Sequence, residues 1–422
     1  VPRPAAHDLD AWIPRLLSVW RQGGAAPRPA GGRPDPRHGP RGQDRRRPPA
    51  RRPPGRSPEG ALLPEELRAV AAAVQRLSRG LTRDRELAGA RYMEEEKLLG
   101  AYLLFYWPVS YLQARGVLSE LPRSPRTVLD LGSGPGPIAF AALDAGAREV
   151  TAADRSPRAL AAARALAQAA GEALATRDWN PTRPGSLAAV ASGQRYDVVT
   201  MGHVLNELWR GQDEDRRRAA LVEEALSLVA PGGSLVILEP ALRETSRALL
   251  RVRDLLVARG AAVRAPCLFR GACPALDRES DWCHAERPVE PPALVAQVAK
   301  AAGLRREAVK MSYLVLAPEG EGWAPPPPGR AFRIVSEPLP SKGRLRYMAC
   351  GPEGRMGLSL QEKHVTEANR AFERLLRGDV VEVTGAEPRG DGLALSDGST
   401  VRVIAPAGQP LPAGPQTPAN HS

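Results

Sequence analysis

Thr127-Val-Leu-Asp130-Leu-Gly132-Ser-Gly134-Pro-Gly136-Pro-Ile138 is the stretch that decides the fold. An apolar run ends at Leu131, gives way to three alternating glycines, and resumes as Ile138-Ala-Phe-Ala-Ala-Leu. That pattern predicts strand, tight turn and helix. Glycine lets the turn take positive φ and brings bare backbone close to a ligand. The first N–H groups of the helix have no partner within it and face the turn. Asp154 stands eighteen residues after Gly136, at the end of a second apolar run, Val150–Ala153. A carboxylate there can accept hydrogen bonds from both hydroxyls of a ribose. Asp178, just before Trp179, ends a third strand and is placed to meet an adenine amino group.

Outward from this loop the alternation continues. Val128–Leu131 reads as a strand and Ile138–Ala145 as a helix. Ser156-Pro157 supplies an N-cap and an N1 proline for a helix through Ala170. Asp197–Met201 and Ser234–Glu239 are further strands, separated by a helix near Glu214–Val229 and the turn Ala230-Pro-Gly-Gly233. Helices over Arg243–Arg259 and near Ala293–Ala302 and a strand at Met311–Leu316 complete an α/β domain spanning 123–324.

Upstream, Leu67, Val70, Val74 and Leu77 fall on one helical face, with Gly80 placed to end it. A second helical stretch, Glu94–Leu118, is expected to break at Pro108. Its aromatic segment Ala101–Tyr111 is expected to pack on the following domain rather than to stack RNA bases. Residues 61–122 thus form a helical region. Leu9, Ile13, Leu16, Leu17 and Trp20 have helical spacing, but residues 22–60 are low-complexity Arg, Pro and Gly. Residues 1–60 are therefore expected to be a mostly disordered arm. The net charge is +12, and Arg28–Pro58 holds ten Arg against two Asp, a net +8 that leaves +4 elsewhere. An arginine arm suits RNA phosphates. The composition is rich in Ala, Arg, Gly and Pro throughout, so a solvated tail is the expected reading. After the stiff Pro325–Pro328 come short β segments: Phe332–Ser336, Leu345–Cys350, Met356–Leu360, Asp379–Thr384, Leu393–Leu395 and Thr400–Ile404. With a helix near Glu367–Leu376 they make a small β-rich domain, 325–405, before a disordered tail, 406–422. No apolar stretch is long enough to span a bilayer, and Val1–Asp10 lacks the basic flank and apolar run of a secretory leader.

Gly-x-Gly-x-Gly opened by an acidic residue, with Pro-Gly-Gly before a later strand, resembles the class I S-adenosylmethionine-dependent methyltransferases over Arg126–Pro318. Dinucleotide-binding folds space their glycines Gly-x-Gly-x-x-Gly instead. The resemblance implies a Rossmann-like sheet with S-adenosylmethionine at Asp130, Gly132, Gly134, Gly136 and Asp154, with Asp178 beside the adenine. Methyl transfer from a sulfonium is an in-line displacement that needs positioning and charge stabilisation. Gly202-His203-Val-Leu-Asn206-Glu207-Leu208 follows the fourth strand, where these folds meet the acceptor. His203, Asn206 and Glu207 are the candidates, although Asn206 and Glu207 read equally well as caps of the next helix. The Asn/Asp-Pro-Pro-aromatic signature of amino-group methyltransferases is absent. Pro266-Cys267 follows the fifth strand rather than the fourth, which rules out the nucleophile of cytosine-C5 enzymes.

All four cysteines lie between residues 267 and 350, spaced Cys267-x5-Cys273-x9-Cys283 with Cys350 far downstream. Four are too few for a disulfide scaffold of this length. Zinc sites usually pair cysteines at x2–4, and prolines beside ligands in irregular loops suit a [4Fe–4S] cluster; the spacing leaves both metals open. His284, beside Cys283, is expected to be an exposed loop histidine. The methyltransferase loop, Asp281-Trp-Cys-His284 and Lys342-Gly343…Cys350 together resemble the Rsm-type mitochondrial small-ribosomal-subunit family and its bacterial relatives, the methyltransferase-like family 17 group, over Leu62–Ile404. Leu268-Phe269 stands where that family often has Pro-His. The resemblance implies Cys267, Cys273, Cys283 and Cys350 as ligands of a [4Fe–4S] cluster that clamps the loop 266–284 to the strand Leu345–Cys350. It also implies the small ribosomal subunit and its rRNA as partner, through rRNA methylation or subunit assembly. A non-catalytic assembly or RNA-binding factor with a structural Fe–S or zinc site is the alternative. No membrane partner is expected. The free protein is expected to be a monomer of the bacterial cytoplasm, with the mitochondrial matrix as the other setting.

Overall fold

The computed structural model describes residues 7–23, 60–304, 308–323, 327 and 329–412. The N-terminal layer holds α1 (His7–Gln22), α2 (Pro64–Ser78), α3 (Glu96–Ala101) and α4 (Trp107–Leu118). The expected arm therefore starts with an ordered helix, because Leu9, Trp12, Leu16, Leu17 and Trp20 have an apolar surface to bury. Trp12 packs its ring 4.6 Å from Phe140 and donates from Nε1 to Asp144 Oδ2 at 2.8 Å. The rest of the expected arm, residues 1–6 and 24–59, and tail residues 413–422 lie outside the described residues, as do Pro325, Pro326 and Pro328. The tail also begins later than expected. Gly408 O accepts from Ser119 Oγ at 2.7 Å, and Ala407 N donates to Asp379 Oδ1 at 2.8 Å, so residues 406–412 are held.

The aromatic stretch is core, as its composition suggested. Trp107 stacks on Tyr111 at 5.4 Å and donates to Pro135 O at 3.1 Å. Pro108 does not break the helix. It sits in the first turn of α4, where no N–H is required, after a wider π turn at Tyr102–Tyr106.

The central sheet comprises β1 (Thr127–Leu131), β2 (Glu149–Asp154), β3 (Ala175–Asp178), β4 (Tyr196–Gly202), β5 (Val229–Pro240), β6 (Val263–Ala265), β7 (Ala285–Pro288) and β8 (Ala308–Leu316). Its helices are α5 (Pro137–Asp144), α6 (Pro157–Ala170), α7 (Ser186–Ala191), α8 (Glu214–Leu226), α9 (Arg243–Ala258) and α10 (Ala293–Ala301). The strand order is β3-β2-β1-β4-β5-β8-β6, and β7 also pairs with β8. The first five strands are parallel, while β8 runs antiparallel to β5. This reversed strand wedged beside β5 gives the class I methyltransferase architecture and departs from an all-parallel dinucleotide fold. The strands are apolar on both faces because helices cover both. Pro231-Gly-Gly233, expected as a free turn, lies within the start of β5, where any side chain on Gly233 would strike Asp197 O.

The outer edge of β8 is shared. β6 pairs with its end at Val315–Leu316, and β7 with its start at Ala308–Met311. Residues 266–284, between β6 and β7, are thereby expelled from the sheet toward the C-terminal domain. That domain is a second sheet of β9 (Ala331–Ile334), β10 (Leu339–Ser341), β11 (Arg344–Gly351), β12 (Gly354–Gln361), β13 (Val380–Thr384), β14 (Glu387–Arg389), β15 (Gly392–Leu395) and β16 (Thr400–Ala405). Their order is β14-β15-β12-β11-β9-β13-β16, with β10 on β11. The helix expected near Glu367–Leu376 is replaced by short 3-10 turns, Glu362–His364 and Arg370–Arg374. Buried Asn369 explains the difference. Its side chain bonds Thr366 N at 2.8 Å, His364 O at 2.9 Å and Ser396 O at 3.1 Å, taking backbone groups that a helix would need.

One buried ionic knot joins the three layers. Glu120, in the turn after α4, accepts from Arg287 of β7 at 2.7 Å and from Tyr313 OH of β8 at 2.7 Å, and lies 3.5 Å from Arg333 of β9. Arg333 also donates to Gly378 O at 3.0 Å.

Candidate functional site

The glycine loop leaves β1 with positive φ at Gly132, Gly134 and Gly136. A Cβ on Gly132 would drive into Val204, so the loop and the segment after β4 meet with no room to spare. Gly132, Gly134, Asp154, Trp179, His203 and Glu207 line one cavity at the carboxyl ends of β1, β2 and β4. The segment Ala90–Glu94 and Tyr102 cover it. Arg155 Nη2 holds that cover by donating to Gly89 O and Ala90 O at 2.9 and 3.1 Å, and Ser156 Oγ donates to Glu94 Oε1 at 2.5 Å.

Three of the six expected ligand-binding residues do not line this cavity. Asp130 lies fully buried beneath the loop. Its Oδ1 accepts from Thr200 Oγ1 at 2.6 Å and its Oδ2 from Ala139 N at 3.1 Å, so it ties β1 to β4 and α5. Gly136 caps α5 in the left-handed region. Asp178 ends β3 exposed, and its neighbour Trp179 takes the cavity wall, with a buried Nε1 that has no partner. Asp154 does line the cavity, and its carboxylate steadies the loop by accepting from Gly134 N and Ser156 N, each at 2.8 Å.

The segment after β4 splits its residues between two faces. His203 takes a left-handed φ of 60° and faces the inner cavity with Glu207. Tyr92 OH donates to Glu207 Oε1 at 3.3 Å, and burial pushes the Glu207 carboxyl up to about 7. Asn206 faces the other way. It donates to His203 O at 2.9 Å and accepts from Arg85 Nη1 at 3.0 Å, beside an open groove of about 550 Å³. Arg85, Arg210, Arg218, Arg243, Arg247 and Arg251 line that groove against Glu214, Glu244 and Glu279. No local signal announces this groove, because its arginines come from four separate segments. Glu239, at the end of β5, was also missed, although a carboxylate at the strand's carboxyl end could have signalled it. Its Oε1 accepts from Leu205 N at 2.9 Å and braces the 3-10 turn Leu205–Glu207.

Glu239 is 1% exposed, and burial raises its carboxyl to about 8; burial raises fully buried Asp130 to about 7. Between pH 6.5 and 8 both are ionised in the unfolded chain, while the folded chain keeps the Glu239 proton. The folded state then binds more protons, so stability falls as pH rises, by about 1.4 kcal/mol per unit for each retained proton. Burial lowers His203 to about 4 and His284 to about 3, which acts in the opposite sense only below about pH 6.5. The urea midpoint should therefore drop from pH 6.5 to 8, and Glu239→Gln should flatten that slope. An unchanged slope in the variant would mean that Glu239 is ionised in the fold.

The four cysteines come together around a second cavity, of about 70 Å³, between the two sheets. Cys267 follows β6, Cys273 caps the 3-10 turn Pro274–Leu276, Cys283 precedes β7, and Cys350 lies on β11 opposite Arg333 and Arg355. Burial raises all four thiols, Cys273 to about 12 and Cys283 to about 11, and Cys267 raises the other three further. Helix α9 grips the loop between them. Arg247 donates to the carbonyls of Ala275, Arg278 and Asp281 at 2.7–3.0 Å, Arg253 donates to Phe269 O, and Asp254 accepts from Cys273 N. Arg355 bonds Asp281 at 3.0 Å and ties the same loop to β12. His284 is not an exposed loop residue. Its side chain is 10% exposed, stacked at 4.2 Å on Trp282, and lines the cavity. Among the described residues, no three or more His, Cys, Asp or Glu gather as ligands of a single ion.

Among solved structures, the chain is similar to an O-methyltransferase family protein from Burkholderia thailandensis, at 18% identity and TM-score 0.35, over 62% of this chain and 75% of that one. It is similar to a ribosomal protein L11 methylase from Lactobacillus delbrueckii subsp. bulgaricus at 15% and 0.30, over 50% and 77%. For TrmN from Thermus thermophilus the values are 20% and 0.32, over 51% and 53%. These likenesses are distant, and the fold assignment rests on the strand order of the chain itself. No curated protein sequence matches it significantly. No helix among the described residues is long and apolar enough to cross a membrane. The family model of the mitochondrial small ribosomal subunit Rsm22 matches residues 99–382, that is 284 of 422, a span that takes in the glycine loop, the shared edge of β8 and all four cysteines. The chain belongs to the mitochondrial small ribosomal subunit Rsm22 family.

Proposed function

We propose that the chain binds S-adenosylmethionine in the cavity at the carboxyl ends of β1, β2 and β4 and acts as a methyltransferase on RNA of the small ribosomal subunit. The observation that carries this is the cavity itself. Bare backbone at Gly132 and Gly134, a carboxylate at the end of β2, and buried ring nitrogens of Trp179 and His203 without partners all face one space. Unpaired buried polar groups of this kind are costly unless a ligand satisfies them. The arginine groove behind Asn206 supports RNA as the acceptor. Arg85, Arg210 and Arg247 are held by backbone carbonyls, which orient their charges without neutralising them, while Arg218 and Arg251 pair with Asp215. The family name supplies the small ribosomal subunit, which a bacterial cytoplasm or a mitochondrial matrix would each provide. A non-catalytic assembly factor is the second reading, favoured by Asn206 being bound within the fold.

The cysteine cavity fits a [4Fe–4S] cluster better than one zinc ion. A water-sized body needs about 10–15 Å³ of such space, so about 70 Å³ has room for several atoms. The donor set suits an anionic cluster. Arg333 Nε, Arg355 Nε and His284 Nδ1 are buried around it without partners, and Arg253 is drawn to Cys267 and Cys273. Cys267, Cys273, Cys283 and Cys350 would hold the cluster, which supplies structural cross-linking and one-electron chemistry when bound. Bound to it, these residues would tie the loop 266–284 to β11.

The test is calorimetric titration with S-adenosylmethionine, followed by transfer of a radiolabelled methyl group to small-subunit RNA. Wild type should bind, and Gly132→Val, whose side chain collides with Val204, should bind at least 100-fold more weakly. Binding without methyl transfer would select the assembly-factor reading. No binding by the folded wild type would end the ligand assignment.

A further inference from the structure

His203 is held in an unusual way that nothing above explains. It has positive φ, which costs a non-glycine residue energy, and three bonds fix it there. Its N–H donates to Leu238 O at 2.7 Å, its carbonyl accepts from Asn206, and its Nε2 lies 3.0 Å from Gln113 Oε1. Gln113 is 5% exposed on α4, and its Nε2 donates to Lys310 O at 2.8 Å. A carbonyl oxygen can only accept, so the orientation of the amide is fixed and its Oε1 is turned to the imidazole. That oxygen also can only accept. The imidazole Nε2 must therefore carry the proton, and in a neutral ring Nδ1 is left with a bare lone pair. Nδ1 is buried and has no partner, and the ring lines the cavity. Burial keeps the ring neutral at physiological pH.

We infer that Gln113 is a positioning residue that fixes His203 as a hydrogen-bond acceptor, and that Nδ1 receives an N–H from a cationic amine of the bound ligand. Glu207 and Asp154 line the same cavity, so it offers several acceptors to a cation. On the S-adenosylmethionine reading, on which this identification of the ligand rests, the donor is the ammonium of the amino-acid end. The role of Gln113 does not depend on that reading, because it follows from bonds within the fold.

The test is nitrogen-15 histidine NMR on the full chain, with His203 assigned among the six histidines by loss of its signals in His203→Asn. The free protein at pH 7 should show His203 with a protonated Nε2 and a bare Nδ1. S-adenosylhomocysteine should move the Nδ1 resonance toward the hydrogen-bonded range, and methylthioadenosine, which lacks the ammonium, should leave it unmoved. Gln113→Glu, which retains an accepting oxygen, should keep the tautomer. Gln113→Leu should mix the two tautomers and weaken S-adenosylhomocysteine about 10-fold. A protonated Nδ1 in the free wild type, or an unmixed tautomer in Gln113→Leu, overturns the role of Gln113. Equal shifts with both ligands overturn the ammonium assignment. Failure of S-adenosylhomocysteine to bind sinks the ligand reading and the ammonium with it, while the tautomer of the free protein still decides the role of Gln113.

Discussion

Glu120→Ala should cost the fold about 3–5 kcal/mol, read as a lower urea midpoint at unchanged slope. The carboxylate is 2% exposed and is shared by Arg287, Arg333 and Tyr313, whose side chains come from two other layers. Truncation leaves two guanidinium groups buried at 8% and 6% exposure with no counter-charge. That penalty exceeds the net worth of the original pairs. Glu120→Gln keeps an acceptor and should fall between wild type and alanine. The triple change Glu120→Leu, Arg287→Met, Arg333→Met removes all the charges together and should recover most of the loss. A loss under 1 kcal/mol for Glu120→Ala would mean that water reaches the knot and the three layers are not sealed against one another.

On the proposed [4Fe–4S] reading, Cys350→Ser should leave the cysteine cavity without a cluster. Anaerobically purified wild type should carry about four irons and four sulfides with a visible charge-transfer band, and the variant close to none. The effect is large because Cys350 is the one thiol supplied by the C-terminal sheet, and without it the loop 266–284 has no sulfur on β11 to join. S-adenosylmethionine binding should survive the change, since the cavity lined by Gly132 and His203 shares no lining residue with the cysteine cavity. One zinc per chain in place of iron would keep the four-thiol site and replace the cluster with a structural ion. A wild type with no metal would leave the four thiols as packing.

Much of the fold was legible because its signals are local. The glycine loop, the apolar runs of β1, β2, β4, β5 and β8, and the Ser156-Pro157 cap each declare themselves within a dozen residues. What was missed depends on partners distant in sequence. β6 and β7 are too short to announce themselves and exist because β8 offers them one edge. The expected helix at Glu367–Leu376 failed because Asn369 satisfies backbone groups from two segments. The cysteines were legible as a set, and all four line one cavity, although no three of them gather as ligands of a single ion among the described residues. The individual ligand-loop residues were less so. Asp130 and Asp178 have the residue type and strand position of ligand contacts, yet one is consumed by Thr200 and Ala139 and the other points outward. Gln113 carries no local signal, since a glutamine on a helix is ordinarily solvent-facing. Only the fold brings it to His203.

The helix α1 precedes the arginine-rich stretch, and Arg21 closes that stretch on itself by bonding Ala61 O and Glu66, each at 2.8 Å. Arg21 and Ala61 are thus pinned to each other from opposite sides of that stretch in the sequence. α1 amounts to a docked peptide, seated on α4 and α6 and tethered by its own connector. Nicking the connector with a protease would leave a two-piece protein that elutes as one.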